Sequence, residues 1–271
     1  MLPISSLDNP KIKELVALRE KRCRDKTERF LIEGYRELLR AHDGGVPIEQ
    51  LYICPELFLG ENETSLIDKF RLQGTQIFSC TTKVFHKSSY RDRPDGLIGV
   101  AKTMQYSLQD LEKKLPQGKA PLLVVAVNIE KPGNLGTILR SSDAAGAHGV
   151  IVCDRCTDVY NPNVVRASVG TLFTLPVVET TTAAALTWLK DNKIHTIATT
   201  PSTDKFYSDI NLTQPSAIIV GAEQIGLSDL WLESADYKVK IPMLGVADSL
   251  NVAMATTILL YEAVRQRKSG R

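Results

Sequence analysis

The chain has 271 residues, is 43% hydrophobic and 24% charged, and carries a formal net charge of +2. That is ordinary globular composition with enough apolar material for a buried core, and the longest apolar runs, such as Leu122–Val127, are far too short to span a bilayer. No Lys/Arg-flanked apolar leader opens the sequence, and the five cysteines are odd in number and sparse, which excludes a secreted disulfide framework and sets the expected location as cytoplasmic.

Asn9-Pro10 predicts the start of a helix carrying Ile12, Leu15, Val16 and Leu18. A strand at Phe30–Ile32 and a helix over Tyr35–Ala41 follow. Strands at Leu51–Ile53 and Gln76–Phe78 flank a helix around Leu66–Gln73, and Leu97–Ala101 closes the set. This reads as a small α/β/α domain. Two basic stretches lie inside it. Between Lys11 and Arg40, ten Lys/Arg stand against six Asp/Glu, and Lys83, Lys87, Arg91 and Arg93 are relieved by Asp92 alone. On a nearly neutral chain such clusters suit phosphate contacts, and they equally describe a solvated helix face. The Arg91–Gly96 loop, bounded by Pro and Gly, is expected to be exposed.

Residues 105–119 read as a polar linker holding a short helix over Leu108–Leu115. The division is therefore 1–104, a linker at 105–119, and 120–271. Downstream, strands are predicted at Leu122–Val127, Val150–Val152, Thr174–Val178, Thr196–Ala198, Ala217–Val220 and Lys238–Ile241, alternating with helical stretches that include Leu135–Ala145. Strands apolar on both faces fit a covered parallel sheet in an α/β domain. Cys153 and Cys156 form one C-x-x-C. One pair cannot close a four-ligand zinc site and no paired His lies nearby, so no metal site is expected; redox chemistry is the minor alternative to a strand end and a loop.

The turn after Leu122–Val127 lacks G-x-G-x-x-G, and no G-K-[ST] occurs there, which argues against a dinucleotide or triphosphate site of the usual kinds and against a Rossmann oxidoreductase. Two other loops stand out. Gly221–Gly226 follows a buried strand, and Ile241–Asn251 runs from a strand end to a helix start. Two glycine-bearing loops at strand carboxyl ends make a ligand crevice. Apolar Ile241, Met243 and Leu250, with no Lys or Arg in either loop, suit a neutral base and a methionine chain. The final helix, expected from Ser249, bears Leu250, Val252, Ala253, Met254, Ala255, Ile258, Leu259 and Leu260 and shows almost no polar face. It should pack on its own domain and on a second subunit, in a homodimer.

These loops carry a resemblance. Asn134-x-Gly136 with Arg140 and Asp143-Ala144-x-Gly146, then Asn161-Pro162, Arg166-Ala167-Ser168, Gly170 and Phe173, then Gly221-Ala222-Glu223 and Gly226, then Ile241-Pro242-Met243 and Ser249-Leu250-Asn251-Val252 are similar, in order and spacing, to the SpoU (TrmH-like) family of RNA ribose methyltransferases, within the SPOUT class. Asn9-Pro10-x-Ile12-Lys13 and Phe30-Leu31-Ile32-Glu33-Gly34 resemble that family's substrate-binding domain, which has a ribosomal-protein-like fold.

The resemblance implies a deep trefoil knot, a dimeric catalytic centre, and S-adenosylmethionine as donor to a ribose 2′-hydroxyl of RNA. The favoured RNA is 23S ribosomal RNA, with transfer RNA the rival. It makes Arg140 the arginine that meets the ribose and phosphate, where orienting the hydroxyl suits a guanidinium better than acting as base. Asn134, Glu223, Ser249 and Asn251 complete the catalytic set. Gly221, Ile241, Met243 and Leu250 hold the donor, and Arg166 and Ser168 meet RNA; Arg91 and Arg93, from the second basic stretch, are expected RNA contacts on their charge. Plainer roles stand beside these: helix caps for Asn134 and Ser249, a surface helix arginine for Arg140, a solvent-facing acid for Glu223, helix structure for Arg166 and Ser168. The four histidines match no motif. A catalytically silent RNA-binding or assembly factor of the same fold is the competing reading, and the intact Arg140, Glu223, Ser249 and Asn251 count against it.

Overall fold

The structure, a computed structural model, describes residues 1–154 and 156–269. In chain order its elements are β1 (Leu2–Ile4), α1 (Pro10–Ala17), α2 (Lys21–Thr27), β2 (Arg29–Glu33), α3 (Tyr35–Asp43), β3 (Ile48–Ile53), α4 (Glu63–Leu72), β4 (Gln76–Cys80), α5 (Thr82–Ser88), β5 (Leu97–Lys102) and α6 (Leu108–Lys114). Then come β6 (Leu122–Val127), α7 (Pro132–Ala144), β7 (Gly149–Cys153), α8 (Pro162–Ser168), β8 (Val177–Thr180), α9 (Thr182–Asp191), β9 (His195–Thr199), β10 (Ser216–Val220), α10 (Asp229–Ser234), β11 (Tyr237–Val239) and α11 (Val252–Ser269). Two compact units result: residues 1–104 with 158–174, and residues 105–157 with 175–271. The segment 158–174 thus groups with the first unit, although the continuous reading of the sequence had put it with the second.

The first unit is built on a five-stranded mixed sheet, ordered β1-β4-β3-β5-β2. Its β5 runs antiparallel to both neighbours, β3 and β2. Asn9 caps α1, its side chain accepting from Lys11 N at 2.9 Å, and Pro10 occupies the first turn, where a missing N–H does no harm. Helix α2 has no apolar stripe. Arg24 holds it instead: the buried guanidinium donates to the carbonyls of Leu18 and Arg19 and pairs with Asp158. A buried charge is tolerable when it is paired and hydrogen-bonded in this way. Around Phe30 of β2, Tyr160 and Phe173 pack at ring distances of 4.5 and 6.0 Å.

The second unit is a six-stranded, wholly parallel sheet, ordered β11-β9-β10-β6-β7-β8. All six residues of β6 are buried, which is why the strand reads as one continuous apolar run. Trp231 fills the core, with its indole N–H donating to Thr182 Oγ1 at 2.9 Å. From β6 the chain winds outward through β7 and β8, then returns to the other side. There β10 inserts beside β6 in parallel register, with Ser216 opposite Leu122 and Val220 opposite Ala126. The carboxyl ends of β6 and β10 therefore lie side by side where the winding reverses. Open α/β sheets place their ligand crevice at such a switch point.

The structure departs from the sequence expectations in particular places. Strand β8 begins at Val177, because Thr171–Phe173 forms a tight 3-10 turn and Pro176 follows it. Helix α11 begins at Val252, so Ser249 is not its cap. Asn251 is: its Oδ1 accepts from Ala253 N at 3.1 Å. The Arg91–Gly96 loop is only partly exposed, with Pro94, Asp95 and Gly96 buried. Helix α11 packs against α7, where Ser141 and Thr257 hydroxyls meet at 2.7 Å, and Arg267 ties its end to the carbonyls of Leu212, Ala120, Pro121 and Gln214. Its outer side leaves Met254 59% and Tyr261 49% exposed. Among the described residues no helix is long and apolar enough to cross a membrane.

Candidate active site

Because β6 and β10 are neighbours, the turn after β6 meets the loop after β10. Asn134, in the first turn of α7, donates from its amide to Glu223 Oε1 at 2.8 Å. Asn251 donates to the same oxygen at 2.7 Å and to Asn134 Oδ1 at 3.1 Å. Lys131 forms an ion pair with the other oxygen of Glu223. Glu223 is thus the hub that joins three separate segments. Hydrogen bonding from Lys131 first, and from Asn134 next, holds its carboxyl below the ordinary carboxylate value. The carboxylate is an ionised acceptor whose donors fix both asparagine amides in one orientation.

Beside this cluster lies a cavity of about 480 Å³, within the range of small-molecule sites. Its walls come from the residues following three adjacent strands: Thr199–Ser202 after β9, Val220–Leu227 after β10, and Val239–Leu250 after β11, with Val252, Ala255 and Leu259 of α11 beneath. Gly221, Ile241, Met243 and Leu250 all line it, as do Glu223 and Ser249. Gly221 is needed for closure, not for its backbone angle. A Cβ there would stand 2.4 Å from the Gly226 carbonyl oxygen, so the turn folds back onto this residue only because it has no side chain. Lys240 is a cation on this wall that reading the two loops alone did not count; its ammonium lies 3.8 Å from Asp204.

Arg140 is exposed on α7, six residues beyond Asn134, and stands outside the hydrogen-bonded cluster among the described residues. Ser249 is exposed at the cavity rim. Lys131 and Thr199–Ser202 were missed in the sequence. Lys131 is adjacent to the Pro132-Gly133-Asn134 turn, and that adjacency was the available signal. The segment after β9 becomes visible only once the strand order is known.

In the first unit, a second cavity of about 790 Å³ is lined by Arg36, Arg91, Arg93 and Arg166. Arg91 is clamped by Glu37 and the Glu33 carbonyl, each at 2.6 Å, while Arg93 and Arg166 are exposed. Ser168 corrects the expected rim position. It is fully buried, and its hydroxyl donates to Val165 O and accepts from Gly170 N, so it shapes the end of α8.

Cys153 and Cys156 sit below the β6 turn. Burial pushes their thiols up to about 12 and about 11, and Cys156 Sγ accepts from Ile129 N at 3.1 Å. Both remain protonated and support the loop. Among the described residues no group of three or more His, Cys, Asp or Glu is placed to hold a metal.

A model of the SpoU rRNA Methylase family matches residues 121–261, and one of the MRM3-like substrate binding domain matches residues 9–99. A 23S rRNA (uridine(2479)-2'-O)-methyltransferase of Streptomyces viridochromogenes is 35% identical over 95% of this chain and 89% of its own. The 23S rRNA (guanosine(2553)-2'-O)-methyltransferase RlmP of Bacillus subtilis is 30% identical over 96% and 98%. The AdoMet-bound rRNA methyltransferase of Sinorhizobium meliloti superposes with a TM-score of 0.88 at 31% identity, covering 97% of each chain. With one model matched over more than half the chain and relatives aligned along nearly all of it, the protein belongs to the SpoU rRNA methylase family.

Proposed function

We propose that the chain transfers a methyl group from S-adenosylmethionine to a ribose 2′-hydroxyl of 23S ribosomal RNA. The observation that carries this reading is the Glu223 cluster standing at the mouth of a glycine-walled, largely apolar cavity. The ribosomal RNA activities named for the relatives and the AdoMet-bound neighbour support it.

The cavity fits the donor. Ile241, Met243 and Leu250 offer apolar surface to a base and a methionine chain, the ends of β10 and β11 offer backbone groups, and Glu223 and Asp248 offer negative charge to a sulfonium. When bound, the donor supplies a methyl already activated on sulfur. What remains for the protein is alignment and the removal of a proton. Arg140 holds the phosphate next to the target and turns the hydroxyl toward the cavity, while Asn134, Ser249 and Asn251 position the ribose. Glu223 fixes the two asparagines. Arg91, Arg93 and Arg166 meet RNA from the first unit.

Three further features belong to the same reading. The loops after β10 and β11 are threaded in the family's trefoil knot. Met254 and Tyr261, left exposed along α11, form a homodimer contact. The functional domains are 1–104 and 120–271, joined by 105–119, a division supported by the two matched ranges. With ribosomal RNA as substrate, the enzyme works in the cytoplasm.

The test is transfer of radiolabelled methyl to purified 23S RNA, followed by digestion to nucleosides. The expected product is a single 2′-O-methylnucleoside. Label on a base, or binding of RNA with no transfer, would contradict the proposal; the latter would favour a silent assembly factor.

A further inference from the structure

The cavity of the first unit is more than a basic patch. Glu63 and Asp95 line it, and they are only 4% and 9% exposed. Glu63 Oε1 accepts from Gly60 N at 3.0 Å, and Asp95 Oδ2 accepts from Tyr35 N at 2.9 Å. The second oxygen of each, and Nε of Arg91, are buried without a hydrogen-bond partner. Five such side-chain atoms occur among the described residues, and three of them belong to residues that line this one cavity. An unmet buried acceptor destabilises the fold, so natural proteins keep few and often have a use for them. At the rim, the guanidiniums of Arg36, Arg93 and Arg166 are exposed and have no partner among the described residues.

The matching ligand must donate to a carboxylate, accept from a guanidinium and bring an anion. A free phosphate has only its own hydroxyl protons to donate and sets its negative charge against the two carboxylates. A guanosine nucleotide meets all three demands. Guanine presents two adjacent donors, N1–H and the 2-amino group, to a carboxylate, and O6 with N7 to an arginine. Adenine, cytosine and uracil offer a carboxylate only one donor group. We infer that this cavity takes an unstacked guanosine of the RNA, with its base on Glu63, Asp95 and Arg91 and its phosphate on Arg36, Arg93 and Arg166. Splayed single-stranded bases are the usual object of sequence-specific RNA recognition. The inference rests on the RNA substrate proposed above and adds a base-reading site apart from the methyl-transfer site.

The test uses the full chain without methyl donor and fluorescein-labelled oligouridylates carrying one central guanosine, inosine or adenosine. Anisotropy is read at one fixed salt concentration, since phosphate contacts are salt-dependent. Guanosine should bind about tenfold more tightly than adenosine, the discrimination expected of one bidentate base contact. Inosine, lacking only the 2-amino group, should lose most of that gain. Glu63→Gln keeps the acceptor for Gly60 N and should abolish the preference while S-adenosylmethionine affinity, read by calorimetry, stays unchanged. If Glu63→Gln also loses that affinity, its fold is compromised and the wild-type contrast between guanosine and inosine decides alone. Equal binding of the three oligonucleotides by wild type, or a preference surviving in folded Glu63→Gln, overturns the inference. Competition by guanosine monophosphate at the oligonucleotide's own concentration would assign the cavity to a free nucleotide and overturn it as well. Because no methyl is transferred in this assay, its failure leaves the proposed activity standing, and failure of the transfer assay leaves this result standing.

Discussion

Gly221→Ala puts the smallest possible side chain where the donor cavity closes. The new Cβ would stand 2.4 Å from the Gly226 oxygen, 2.5 Å from its carbonyl carbon and 2.7 Å from Leu227 N. Ordinary contact begins near 3.4 Å, so the shortfall is about 1 Å against backbone, which no side-chain rotation relieves. The turn is already latched, with Gly226 N donating to Ala222 O at 2.9 Å, and Leu227 is anchored in the core. The segment between them, which carries Glu223, must therefore move. Overpacking of this kind costs about 1–3 kcal/mol. If most of that falls on the closed loop, S-adenosylmethionine affinity drops roughly 5- to 150-fold. Isothermal calorimetry reads the affinity, and thermal unfolding checks that the fold persists. Gly245→Ala is the control, because no heavy atom lies within 4 Å of its Cβ. A Gly221→Ala protein that binds the donor within about twofold of wild type would refute the reasoning.

Arg140→Lys should keep donor affinity and lower methyl transfer by about a hundredfold, as expected when a positioning group is lost; near-normal transfer in single-turnover kinetics would remove Arg140 from the site. Glu223→Gln dissolves the ion pair with Lys131 and should lower the transfer rate about tenfold or more, read in the same assay. The lowered pKa of Glu223 means that its network is intact above the ordinary carboxylate value and is lost only as pH falls through the lowered one, which carboxyl carbon NMR can follow. His148 accepts from Leu122 N through Nδ1 at 3.0 Å, and burial pushes its pKa down. Its stabilising contribution is present above the unfolded value of about 6.5 and is lost as pH falls toward the lower folded value. Urea midpoints at neutral and mildly acidic pH should show this loss in wild type and less of it in His148→Gln.

Much of the second unit was legible because covered parallel strands are short apolar runs, and Leu122–Val127 or Ala217–Val220 admits few other readings. The site loops were legible for a related reason: Gly221 and Gly226 break the pattern at a strand end. What periodicity cannot carry is strand order. Nothing local says that β10 returns beside β6, which unites Asn134 with Glu223, or that β9 lies between β10 and β11, which brings Thr199–Ser202 to the cavity. Helix α2 was missed because its stabilising contact, Arg24 with Asp158, spans distant parts of the sequence. The start of α11 was misplaced because Ser249 and Asn251 are equally good caps, and only the backbone path chooses between them. Ser168 shares a motif with Arg166 and is expected beside it at the rim, yet residues two apart on a helix face different ways, and Ser168 turns inward.

A map of ribose methylation across ribosomal RNA, from cells with and without this chain, asks most directly whether it acts as argued. One 2′-O-methyl in 23S RNA should vanish when the chain is removed, return with the wild-type sequence, and fail to return with Arg140→Lys. An unchanged map, or full restoration by Arg140→Lys, would contradict the account.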